Sequence, residues 1–195
     1  LDISRMLLNA GALMTDKTIG YVQKIGERFG FFRDNISKDI VDELSTALDE
    51  LYELFGITPV ARKTMHDGTT QISVKGKRWQ EQYDELWNML VPGKGKAQNV
   101  QGEMIRIVGR VTHEILDNGG INWDDDYREM LHALREFLSL NENLKMELIE
   151  EASHITKHIT ASSDKKTLYR LTEIVVKWVL ANSVPLPIKE VNYKR

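Results

Sequence analysis

The chain has 195 residues and a mass of 22.4 kDa, with 42% hydrophobic residues, 28% charged residues, 4 Pro and a net charge of −3. This composition excludes disordered, collagen-like and low-complexity classes, and the length is enough to bury a core without staples. The lack of any Cys excludes disulfides, thiolate metal sites and a Cys nucleophile, and it agrees with a cytoplasmic setting.

The modest net charge speaks against a global nucleic-acid field. Apolar runs fall far short of a membrane span and no signal-peptide pattern opens the chain, so no membrane association is expected. An opening Leu1 rather than Met is what a segment of a longer sequence would show.

The pattern predicts an all-α fold, a compact bundle of seven to eight helices interrupted by one basic β-hairpin at about 60–74. The first helix runs over Ile3 to Asn9 and stops at Gly11. Thr15 caps a second, with Ile19, Val22, Ile25 and Phe29 on one side. In the third, Ile36, Ile40, Leu44, Leu48, Leu51 and Phe55 form one apolar stripe, and Gly56 stops it. The other side carries Asp39, Asp42, Glu43, Asp49, Glu50 and Glu53 against Lys38 alone.

Val60, Thr64, Ile72 and Val74 are strand formers, and His66-Asp67-Gly68 is a turn signal. The expected hairpin has strands near 60–65 and 69–74 and is basic through Arg62, Lys63, Lys75, Lys77 and Arg78. A fourth helix is expected over Lys77 to Leu90, with Trp79, Tyr83, Leu86 and Trp87 inward. Val91 to Ala97 is the plainest loop and the one candidate boundary inside an otherwise single domain over 1–195. The fifth helix runs from Gln98 to Leu116 and ends at Gly119-Gly120. Asn122 or Asp124 caps the sixth, Asn141 the seventh, and Ser163 or Asp164 the eighth, which ends near Ala181 and is apolar almost all round.

Turned at about 100° per residue, the fifth helix places Val100, Met104, Ile107, Val108, Val111 and Ile115 on its core face. Gly102, Ile105 and Gly109 share the opposite face. Each Gly costs about 1 kcal/mol relative to Ala in a helix, so the strip implies close approach by another backbone. It is a candidate self-association surface. Glu103, Arg106, Arg110 and Glu114 run along one flank with neighbours in reach. Arg106 and Arg110 are candidate contacts for an acidic group on a partner.

Several patterns could carry chemistry. His154 and His158 have the spacing of a helical zinc pair, without a third ligand nearby. Glu129-x-x-His132 and Glu151-x-x-His154 match di-iron bundle spacing, but the wheel sets them away from the apolar stripes. Asp124-Asp125-Asp126 reads as a negatively charged helix start. Glu50-x-x-Glu53 and Glu81-x-x-Asp84 could hold Mg²⁺ over a nucleotide phosphate. That spacing resembles the pattern of all-α nucleotide pyrophosphohydrolases of the MazG type. The resemblance covers these four residues and implies metal-dependent nucleotide hydrolysis.

No phosphate loop, dinucleotide fingerprint or nucleophile elbow occurs, so no cofactor is expected. The leading expectation is a non-catalytic binding protein that regulates or inhibits a macromolecular partner through its charged helical and hairpin surfaces. A protein partner comes first. Nucleic acid on Arg62, Lys63, Lys75, Lys77 and Arg78 is the first alternative, and a second copy of the chain is another.

Overall fold

The structure is a computed structural model that describes residues 1–33, 36–60, 65–140 and 143–194. The described residues form eight helices: α1 (Asp2–Asn9), α2 (Asp16–Phe32), α3 (Lys38–Phe55), α4 (Trp79–Leu90), α5 (Val100–Leu116), α6 (Asp125–Leu138), α7 (Met146–His158) and α8 (Lys165–Ala181). The chain divides into two compact units, Leu1–Thr64 and Met65–Arg195. The Val91–Ala97 loop lies inside the second.

The first unit contains α1, α2 and α3. The Thr15 hydroxyl accepts from the Thr18 N–H and opens α2, and Gly56 ends α3 in the left-handed conformation. Its core is small. Val22, Tyr52 and Phe55 are buried, with Leu8, Leu48, Leu51, Leu54, Ile57 and Val60 packed around them. Tyr52 Oη sits where a Cβ on Gly26 would be, only 1.7 Å from that position. Arg33 donates to Ser45 Oγ at 2.8 Å. Gly26 opposite Tyr52 and Arg33 opposite Ser45 give one constant antiparallel register.

The second unit is densely packed around α5. Asn99 caps α5 by accepting from the Gly102 N–H at 2.8 Å, and α4, α6 and α8 pack against it. Leu168, Leu171, Ile174, Val175, Val176, Trp178 and Val179 of α8 are buried, as its nearly all-apolar sequence requires. Asp124 caps α6 and Asp164 caps α8. Residue α7 begins with, Met146, comes later than a cap at Asn141 would set it, and Asn141 lies outside the described residues.

The described residues form no hairpin in the predicted stretch. Among the described residues there is no strand, only an isolated bridge between Asn99 and Pro187. The predicted Arg62, Lys63 and Thr64 lie outside the described residues. The backbone of 65–78 spends its hydrogen bonds on helix ends instead of a neighbouring strand. His66 N–H donates to Met89 O, and Ile72 N–H donates to Ser183 O. Asp67 Oδ1 accepts from the Thr69 and Thr70 N–H groups, an Asx turn where a hairpin turn was expected. Glu85 accepts from the Lys75 and Gly76 N–H groups at 2.8 and 2.7 Å. Ile72, a strand former by type, is only 2% exposed and serves as a plug in the helical core.

Candidate functional site

The charged residues singled out in the sequence lie in contrasting places. Lys75, Lys77 and Arg78 are exposed, and Arg78 pairs with Glu81 at 2.7 Å. Glu81 also accepts from the Lys77 and Arg78 N–H groups, so it closes the start of α4. The Arg78 side chain is the main reason its carboxyl lies below the usual range. Glu50 pairs with Arg5 at 2.9 Å in the first unit, whereas Glu81 and Asp84 belong to the second. Among the described residues no three His, Cys, Asp or Glu side chains gather into a metal-binding group. Glu151 is committed to Arg170 through bonds of 2.7 Å, and the His154 and His158 rings lie against each other at 4.3 Å.

The α5 residues are interior. Arg106 is 1% exposed and forms two bonds to Glu103, at 2.9 and 2.5 Å. Tyr193 Oη donates to Glu103 Oε1 at 2.5 Å, and the Ala97 N–H donates to Oε2 at 2.9 Å. Burial works to raise the Glu103 carboxyl, yet Arg106, Tyr193 and the Ala97 N–H together hold it below its usual value. Burial and then the Glu103 charge push the Tyr193 phenol well up. Arg110 is half-buried. The glycine strip receives α4 of the same chain. A Cβ on Gly102 would lie 2.9 Å from Leu90 O, and one on Gly109 would lie 2.3 Å from the Trp87 ring. Ile105 is fully buried beneath them.

The first unit, in contrast, leaves apolar side chains uncovered. Tyr21, Ile25 and Phe32 of α2 and Ile40 and Leu44 of α3 are 41 to 54% exposed. On α2 these lie about 100° round from the inward direction of Val22 and Gly26, and on α3 about 65° round from that of Leu48, Tyr52 and Phe55, in the same rotational sense. Because the helices are antiparallel, both sets fall on one broad side of the pair. Beyond the strip on α2 stand Lys17, Lys24 and Arg28, and beyond it on α3 stand Asp39, Glu43 and Glu50. The order across this side is basic, apolar, apolar, acidic. The sequence pattern joined Ile40 and Leu44 to the core stripe and gave no sign that they would stay exposed.

Two concavities stand out among the described residues of the second unit. One of about 720 Å³ lies between α6 and the C-terminal tail, with Glu129, His132, Glu136 and Lys189 among its walls. The other, of about 380 Å³, is aromatic and is formed by α4, α5 and α8. Trp79 and Tyr169 meet edge to face at 5.8 Å and 73°. Tyr83 stands beside them over Gly109, whose missing side chain makes room for the phenol. Burial and then nearby Asp84 push the Tyr83 phenol above its usual value. Sequence reasoning assigned Trp79 and Tyr83 to the core, and Gly109 at the back of α5 was the one signal that aromatic rings gather there. No protein-family model, curated protein or solved structure matches the chain.

Proposed function

We propose that this is a non-catalytic binding protein whose working surface is the exposed α2–α3 side. The observation that carries the reading is the five-residue apolar strip with a basic edge on α2 and an acidic edge on α3. Large exposed apolar patches on a folded unit mark docking sites. With about half of each side chain uncovered, the strip offers roughly 400 Å² of apolar area, worth about 10 kcal/mol gross on burial at 25 cal/mol per Å². Association costs consume much of that.

The charge order selects the occupant, which must be a helix pair presenting acidic, apolar, apolar, basic. A second copy supplies this order when related by a two-fold axis parallel to the helices. Each α2 then lies over the other copy's α3, a four-helix arrangement with an isologous interface. Such an axis preserves height along the helices. The register of Gly26 with Tyr52 puts Arg28 level with Glu50, where it would share that carboxylate with Arg5 of the same unit.

The test is a charge reversal by light scattering. Lys24→Glu with Arg28→Glu, and separately Glu43→Lys with Glu50→Lys, each dissociate the dimer, and a mixture of the two variants restores it. Dimers that survive both reversals, or a mixture that stays monomeric, contradict the reading.

A further inference from the structure

We infer that the aromatic groove formed by α4, α5 and α8 binds an alkylated ammonium ion, such as a quaternary or methylated amine. The walls are Trp79, Tyr83 and Tyr169, and two of them meet at a near-perpendicular corner. Aromatic faces attract cations through the ring quadrupole, most strongly when the cation is poorly hydrated. The chain already uses one of these rings in this way, since the Lys165 ammonium lies 5.0 Å from the Tyr169 centroid.

The polar groups point to the same ligand. Asp84 stands at the exposed rim and supplies negative charge, and Asp117 beside it is hydrogen-bonded to His113 at 2.8 Å. The Thr172 hydroxyl donates its proton to Leu168 O at 2.9 Å, so it turns only acceptor lone pairs toward the groove. An N-methylated head gives up less hydration on reaching aromatic walls than a strongly hydrated –NH₃⁺ does, and the ring faces reward both. The volume of about 380 Å³ admits such a head with a short tail. This groove lies in the second unit and does not depend on the docking surface of the first.

The experiment titrates the full chain with choline and with its neutral isostere 3,3-dimethyl-1-butanol, following the Trp79 indole N–H signal by NMR. Choline is expected to bind in the millimolar range and about tenfold more tightly than the alcohol. Tyr169→Phe keeps this preference, and Tyr169→Leu, at a residue 37% exposed, abolishes it without threatening the fold. Asp84→Asn weakens choline and leaves the alcohol unchanged. Equal binding of the two compounds, or an unmoved Trp79 signal up to about 50 mM choline, would overturn the assignment.

Discussion

Replacing Tyr193 with Phe removes one hydroxyl and leaves the ring, so the loss can be assigned to one bond. That bond runs from a residue 2% exposed to a carboxylate that is fully buried, at 2.5 Å. A hydrogen bond to a charged group is worth about 1.5–3 kcal/mol. Glu103 keeps Arg106 and the Ala97 N–H, so the charge stays partly compensated and the loss should fall inside that range. Arg106→Met should cost more, about 3–5 kcal/mol, because it strands a buried carboxylate. An exposed pair such as Arg78–Glu81 contributes far less by comparison, because solvent screens it. All four tryptophans lie between Trp79 and Trp178, so urea unfolding followed by Trp fluorescence reports the second unit alone. The pH dependence supplies the sign. Glu103 is held below its usual 4.5 in the folded chain, so its stabilisation is present above that pH and is lost as pH falls through the lower folded value. The gap between the natural chain and Tyr193→Phe is therefore full at neutral pH and narrows in acid. A gap under about 0.5 kcal/mol at neutral pH, or one that stays constant into acid, would refute the reasoning.

Further outcomes follow from local geometry. Gly109→Ala should destabilise by about 1–3 kcal/mol through overpacking against Trp87 and Tyr83, despite the gain in helix propensity; unfolding at a higher urea midpoint would show that the rings can move aside. Asn99→Ala should cost about 1 kcal/mol by removing the α5 cap, measured in the same urea experiment. Spectrophotometric titration should show Tyr83 and Tyr193 remaining protonated as pH passes 10. Because their folded values are raised, stability is lost as pH climbs beyond the ordinary phenol value, and Tyr193→Phe should lose less of it.

Much of the helical order was legible because it rests on local signals. Gly56, Asp124 and Asp164 mark real helix ends, and the run through Trp178 announces a buried helix. The segment around Ile72 was misread because its partners are remote. Ser183 is more than a hundred positions away, and β-branched residues suit a core plug as well as a strand. The same distance hid the role of Arg106. Its contact with Glu103 follows from helical spacing, but nothing local predicts that Tyr193 arrives to join them. The glycine spacing on α5 announced a close approach without naming α4 as the visitor. On α3 the periodicity merged Leu48 and Phe55, which enter the core, with Ile40 and Leu44, which do not. A stripe spanning half a helix contains two directions, and only the packing of α2 decides which of them is covered.

Light scattering of the purified full chain over a hundredfold range of concentration tests the docking surface most directly. Self-pairing through α2 and α3 predicts a mass approaching twice the 22.4 kDa of one chain as concentration rises, and Ile25→Glu should hold it at the single-chain value. A single-chain mass throughout, or a dimer indifferent to Ile25→Glu, would contradict it.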